Sequence, residues 1–136
     1  MREFLWPVRV YYEDTDSGGV VYYANYLKFM ERARTEWLRA LGFEQDRLID
    51  EQGVLFAVRR VELDYNKPAR FNDELVVVST IRQRGKASLT FQQDIIRKQD
   101  EQSLCCGQVK IASLDAHTFR PKAIPHSLLT VLSDAV

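Results

Sequence analysis

Residues 25–42 read NYLKFMERARTEWLRALG and contain the clearest helical pattern in the chain. Asn25 is a residue type that caps helix N-termini, and Gly42 suits the left-handed conformation that ends many helices. Charged side chains fall on the face opposite the apolar ones. The apolar positions recur three or four residues apart and are Tyr26, Met30, Ala33, Trp37 and Leu41. The pattern predicts one amphipathic helix of about four turns or more.

After this helix the period of the pattern changes. A shorter helix is predicted at residues 45–51, before Gly53. From residue 54 onward apolar and polar side chains alternate, as they do in a strand with one buried face. Arg59 and Arg60 interrupt this alternation and predict a β-bulge. The predicted strands are residues 54–65, 74–84, 87–97 and 103–114.

The segment before the long helix completes the predicted architecture. Residues 7–12 alternate and predict a first strand. The order is then strand, long helix and four-stranded meander, which predicts an α+β fold with an antiparallel sheet of about five strands. We expect residues 1–136 to form one domain. Exposed edges of such a sheet favour pairing with a second copy.

The amino-acid composition and the first residues exclude some classes of protein. The chain has 19 basic and 19 acidic side chains, which argues against a broad nucleic-acid-binding surface. The first residues lack the apolar run of a signal peptide, and no stretch approaches membrane-spanning length, so we expect a cytoplasmic protein.

Cys105 and Cys106 are adjacent on a predicted strand and point to opposite faces, so we expect two packed thiols and no disulfide or metal site.

The loop before the long helix, residues 12–26, reads YEDTDSGGVVYYANY. It places carboxylates after a strand, glycines beside them, and then a helix start whose free N–H groups favour negative charge. This arrangement suits acyl transfer, because an N–H group can stabilise an oxyanion while a carboxylate attacks the carbonyl or activates water. A thioester fits best, since a thiolate leaves without a strong general acid.

Two simpler interpretations of this loop stay open. Asp and Gly are common in turns, so the segment can be a turn alone. Asp14, Asp16 and Gly19 also match the first, third and sixth positions of a calcium loop. Against calcium, Gly18 occupies the fifth position, and Asn25 stands where such loops need a bidentate Glu.

The loop and its surroundings resemble one family. Residues 8–26, followed by FMERAR at 29–34, are similar to the YbgC-type acyl-CoA thioesterases, which belong with the 4-hydroxybenzoyl-coenzyme A thioesterases in the hot-dog superfamily. The likeness continues through YNKPAR at 65–70, DEL at 73–75 and RGKAS at 84–88. The resemblance implies a sheet wrapped around one long central helix, and hydrolysis of acyl-CoA thioesters without a cofactor beyond the substrate's own coenzyme A.

The resemblance also implies roles for individual residues. Asp16 corresponds to the family's catalytic carboxylate, as nucleophile or general base. Tyr23 corresponds to the residue whose backbone N–H binds the oxyanion, and Gly19 to the glycine that lets the thioester approach. Many YbgC-type members carry His where this chain has Tyr23, a change that a main-chain donor tolerates.

Coenzyme A carries phosphates, so basic groups are expected at the mouth of the site. The candidates are Arg84, Lys86 and Ser88 around a predicted turn, with Arg59 and Arg60 at the bulge; ordinary solvated charges are an equal alternative. In related enzymes the turn often binds the nucleotide across a subunit boundary. The resemblance therefore implies a dimer at least, often a tetramer, and a link to the Tol–Pal envelope system.

Two rival functions are weighed against hydrolysis. A dehydratase or another acyl-chain enzyme of the same fold relies on a histidine, and the loop and long helix contain none. A non-catalytic acyl-CoA or protein-binding module is the other rival. Glu31 is expected to form a surface or interface ion pair, and His117 and His126 are expected to be solvated.

Overall fold

The computed structural model describes residues 2–132 and confirms the predicted α+β class. The strands are β1 (Phe4–Arg9), β2 (Val54–Tyr65), β3 (Glu74–Arg84), β4 (Ser88–Arg97) and β5 (Gln102–Asp115). The helices are α1 (Asn25–Ala40), α2 (Gln45–Gln52) and α3 (His126–Leu132). Among the described residues, no helix is both long and apolar enough to cross a membrane.

The five strands form one antiparallel sheet in the order β1-β3-β4-β5-β2. Arg9, at the end of β1, pairs with Glu74 at the start of β3, and Tyr65, at the end of β2, pairs with Cys105 near the start of β5. The loop that follows β1 therefore lies at the same end of the sheet as the end of β2. The β3–β4 turn lies at the opposite end.

The predicted bulge in β2 is confirmed, and it decides which side chains face α1. The register shifts between Val58 and Arg60, so Arg59 has no partner in β5. Val58 lies opposite Ile111, and Val61 lies opposite Val109. Ile111 and Val109 are both buried, so Val58 and Val61 share the inner face although they are three residues apart.

The longest helix, α1, packs its apolar stripe on the inner face of the sheet. Phe29 and Trp37 are buried, and the Trp37 ring lies 5.9 Å from that of Phe91 on β4. Burying each such side chain contributes about 2 kcal/mol. The predicted end of α1 is confirmed, because Leu41 caps the helix and Gly42 has a φ of 96°.

Three local predictions are wrong. β1 is Phe4–Arg9 and does not reach residue 12: Val10 still donates its N–H to Asp73 O at 3.0 Å, but the chain then enters a 3-10 turn at Tyr12–Asp14. Asn25 is not the N-cap of α1: Ala24 holds that position, and the Asn25 amide donates into the loop instead. The sequence pattern also predicts no helix after the last strand, whereas His126 begins α3, which packs against the core through the buried side chains Leu128 and Leu132.

Candidate active site

The loop between β1 and α1 is a tight hairpin held by its own backbone. Asp16 N–H donates to Val20 O at 2.9 Å, and Gly19 N–H donates to Asp16 O at 3.0 Å. Gly19 has a φ of 76°, a conformation that favours glycine. The hairpin is anchored to the β2–β3 connection, because Val20 bridges Arg70 and Val21 N–H donates to Ala69 O at 2.8 Å.

The carboxylate of Asp14 holds the loop to the start of α1. Only 8% of Asp14 is exposed. Its Oδ2 accepts the N–H of Tyr11 at 2.8 Å, and its Oδ1 accepts the side-chain amide of Asn25 at 2.9 Å. Its main-chain oxygen accepts the N–H of Tyr22 at 2.9 Å. Both carboxylate oxygens are thus engaged inside the protein.

Asp16 lies in a different environment. It is exposed, and its Oδ1 accepts the N–H of Gly18 at 2.8 Å. Its second oxygen, Oδ2, accepts no hydrogen bond from any described residue. Across residues 2–132, no three His, Cys, Asp or Glu side chains are grouped to hold a metal ion. The two carboxylates of the loop therefore differ in how many of their oxygens are engaged.

The start of α1 presents an unpaired backbone donor close to this loop. The N–H groups of Tyr22 and Asn25 are engaged, with Asp14 O and with Tyr22 O respectively. The N–H of Tyr23, between them, finds no acceptor within the described part of the chain. Such a free N–H at a helix start suits an anionic oxygen.

An aromatic cluster fixes the position of Tyr23. The Tyr65 hydroxyl, at the end of β2, donates to Tyr23 O at 3.1 Å. The Tyr65 ring lies 6.3 Å from that of Tyr23 and 5.6 Å from that of Tyr26. The Tyr26 hydroxyl accepts the N–H of Ala69 at 3.0 Å, and burial raises the pKa of Tyr26, so this phenol stays neutral. Sequence reasoning missed the contacts of Tyr65 and Ala69, although both lie in the YNKPAR motif.

The predicted phosphate-binding turn is not brought to Asp16 within one chain. β3 has 11 residues, so its two ends are about 33 Å apart. Arg84 Nη1 donates to Leu129 O at 3.2 Å, and Lys86 O accepts the N–H of Ile124 at 3.0 Å. Ser88 closes the turn by accepting the N–H of Gly85 through its main-chain oxygen at 2.8 Å. This turn is therefore packed against the C-terminal segment.

The two arginines of the bulge also lie apart from the loop. Arg59 is the unpaired bulge residue and is exposed. Arg60 pairs with Lys110 in register and forms an ion pair with Glu62, on the face of the sheet turned away from α1. The side chain of Arg60 is therefore not on the α1 side with Val58 and Val61.

The remaining sequence candidates are the two histidines, Glu31 and the two cysteines. His117 and His126 are exposed, as expected. Glu31 on α1 accepts a hydrogen bond from Thr35 at 3.2 Å and forms no ion pair within the described residues. Cys105 and Cys106 are free thiols, as predicted, and burial raises the pKa of Cys105 to about 12.

Comparison with known proteins identifies the class of protein that this fold and loop define. The sequence model of the thioesterase superfamily matches residues 18–104, more than half of the chain, so the chain belongs to that superfamily. Within it, the chain is similar to the acyl-CoA thioesterase YbgC of Haemophilus influenzae, with 44% identity over 122 residues that cover 90% of this chain and 88% of that protein. The resemblance found from the sequence is confirmed.

Solved structures confirm the hot-dog fold. A probable thioesterase from Bartonella henselae has a TM-score of 0.86 and 33% identity, and the match covers 91% of this chain and 100% of that one. A 1,4-dihydroxy-2-naphthoyl-CoA thioesterase from Synechocystis has a TM-score of 0.91, with 98% of this chain and 97% of that chain covered. Its 23% identity supports the fold alone.

Proposed function

We propose that the protein hydrolyses acyl-CoA thioesters to a free acid and coenzyme A, with Asp16 as the catalytic carboxylate. The observation that carries the proposal is the contrast within the loop: both oxygens of Asp14 are engaged, whereas Asp16 keeps Oδ2 free. The name of the Haemophilus influenzae relative supports the same reaction.

In the proposed reaction the thioester carbonyl lies between Asp16 and the N–H of Tyr23. The carboxylate either attacks the carbonyl carbon or removes a proton from an attacking water. The carbonyl oxygen becomes an oxyanion, which the Tyr23 N–H stabilises by about 3 kcal/mol. The carbon–sulfur bond then breaks and the thiolate leaves. If Asp16 is the base, the proton it took from water passes to the thiolate. If Asp16 is the nucleophile, water hydrolyses the mixed anhydride that it has formed with the acyl group, which frees the acid, restores Asp16 and supplies the proton for the thiolate. Gly19 keeps the loop backbone free of a side chain where the thioester approaches, and the reaction needs no further cofactor.

We also propose that the active enzyme is a cytoplasmic homo-oligomer, a dimer at least and a tetramer by family resemblance. β2 is an outer strand that pairs only with β5 in the described sheet, and such an edge favours pairing with another copy. The 33 Å or so between the sheet ends separates Asp16 from Arg84, Lys86 and Ser88 of the same chain. In this proposal a second copy supplies these groups to the phosphates of coenzyme A.

The test is release of free thiol from a panel of acyl-CoA thioesters, followed with a chromogenic disulfide. Wild type is compared with Asp16→Asn and with Asp50→Asn, a matched control because Asp50 is an exposed carboxylate on α2. We expect Asp16→Asn to lose about a thousandfold in kcat while it still binds coenzyme A in calorimetry, and Asp50→Asn to match wild type. Acyl-CoA binding by wild type without turnover of any thioester would favour the binding module instead.

A further inference from the structure

A groove lies between α1 and β2. Its volume is about 460 Å³, in the range of small-molecule pockets. Leu27 of α1 and Val58, Val61 and Val109 of the sheet give it apolar walls. Leu27 lies one helical turn after Tyr23, and the contact between Tyr65 and Tyr23 brings the end of β2 to the same place. We call this cavity the α1–β2 groove.

A buried cation that forms no ion pair lines this groove, and the nearby Glu31 carboxylate offsets its charge only in part. Arg34 is only 8% exposed, and its Nη1 donates to Gln93 Oε1 at 3.0 Å. Gln93 is itself fixed, because its Nε2 donates to Met30 O at 3.0 Å and to Ser79 Oγ at 2.9 Å. Within residues 2–132, no carboxylate lies within ion-pair distance of Arg34.

An unpaired buried charge is costly, and its other N–H groups remain available to an acceptor. The charge of the groove wall points the same way. Lys28 and Arg32 line it together with Arg34, while Glu31 is the one acidic residue among the lining side chains described. The walls thus combine an apolar surface with an excess of positive charge, which suits an apolar chain that ends in an anion.

The position of Arg34 along α1 sets where that anion must lie. Arg34 is eleven residues after Tyr23, which is about 16 Å along the helix axis. Side chains on a helix lean toward its N-terminus, so the guanidinium lies closer to Tyr23 than this distance. A thioester carbonyl at Tyr23 and an anionic group at Arg34 are therefore separated by the length of a medium acyl chain.

We propose that the α1–β2 groove binds the acyl group and that Arg34 pairs with a carboxylate at its far end. The preferred substrates are then coenzyme A monothioesters of medium-chain dicarboxylic acids. This inference rests on the proposed thioesterase function and adds the class of acyl group. It leaves the outer edge of β2 free for a second copy, because the groove lies on the helix-facing side of that strand.

The experiment compares matched thioesters that differ only in the end group: adipoyl with hexanoyl, suberoyl with octanoyl, and sebacoyl with decanoyl. In wild type we expect kcat/KM to favour the acidic member of the best-fitting pair by about tenfold or more, as expected for a charge-assisted hydrogen bond. Arg34→Met should abolish this preference by losing activity on the acidic substrate, and Arg34→Lys should restore part of it. Arg47→Met, which removes an exposed cation from α2, should leave the ratio unchanged.

Several results would overturn the inference. These are a wild-type ratio of one or below for every pair, a preference for 4-hydroxybenzoyl-CoA over all of them, or an unchanged ratio in folded Arg34→Met. If Arg34→Met does not fold, the wild-type ratios decide alone. Turnover of neutral thioesters without a preference for acidic ones would contradict only this inference. If the protein turned over no thioester at all, the proposed function itself would be contradicted.

Discussion

Asp14 and Asp16 are two residues apart in one loop, yet the fold gives their carboxylates opposite surroundings. Asp14 is buried and accepts two hydrogen bonds, from Tyr11 N–H and the Asn25 amide. Asp16 is exposed and accepts one, from Gly18 N–H. This difference indicates that the Asp14 carboxylate holds the loop together, whereas the Asp16 carboxylate keeps one oxygen free to interact with a ligand.

The largest expected effect is the difference in turnover between the two Asn variants of this pair. Asp16→Asn should lower kcat by about a thousandfold, because it removes the proposed nucleophile or base. Its stability should stay within about 0.5 kcal/mol of wild type, since the side chain is exposed. Asp14→Asn should act on turnover only through the position of the loop and lose less. Equal losses of kcat in the two variants would contradict this division of roles.

The second expected effect concerns stability, where Asp14→Asn should lose more than Asp16→Asn. Asp14→Asn replaces one acceptor oxygen by a donor, so it cannot accept from both Tyr11 N–H and the Asn25 amide. We expect the free energy of unfolding to fall by about 2 kcal/mol. Urea denaturation followed by circular dichroism measures the difference. An Asp14→Asn protein as stable as Asp16→Asn would show that the buried carboxylate is not what holds the loop.

A third, smaller effect tests whether Asp14 and Asn25 act together. Asn25→Ala removes the amide donor at the start of α1 and should destabilise the protein by about 1 kcal/mol. Combined with Asp14→Asn, the loss should be less than the sum of the single losses, because both changes break the same hydrogen bond. A double-mutant cycle in urea measures this coupling. Strict additivity would mean that the 2.9 Å contact contributes nothing to stability.

The smallest expected effect is at Tyr23, next to the available carboxylate. The proposed oxyanion donor is its main-chain N–H, so Tyr23→Phe retains the donor. We expect kcat/KM to change less than about threefold, a difference of well under 1 kcal/mol. Steady-state hydrolysis of one acyl-CoA measures it, with Tyr22→Phe as the matched neighbour. A loss of a hundredfold would assign the role to the phenol instead of the backbone.

Local signals in the sequence predicted most of the sheet but little of the inside of the site. The bounds of β2 to β5 follow from side-chain alternation and turn residues, and the structure places them within one residue of the prediction. These features depend on residues close together in the chain, which a single sequence displays.

Most of the errors and omissions involve partners that are distant in the chain. Asn is a residue type that is common at helix N-caps, which is why Asn25 was predicted there. Only the folded loop brings its side-chain amide to Asp14. Arg34 lies between the apolar and polar faces of α1. Its buried guanidinium donates a hydrogen bond to Gln93, which is 59 residues later in the chain. The buried leucines of α3 pack against the core. The sequence of residues 126–132 alone does not show this contact. The sequence therefore predicts the elements better than it predicts which polar groups they bury.

The extra residue at Arg59 has a consequence for the far half of its strand. Side chains of a strand point alternately up and down, so one inserted residue reverses the phase of everything after it. Upstream of Arg59 the even-numbered Val58 points inward, and downstream the odd-numbered Val61 does so. Tyr65 shares the phase of Val61, and this lets its hydroxyl reach Tyr23. A single inserted residue at mid-strand thus determines which way the end of β2 beside the proposed active site points.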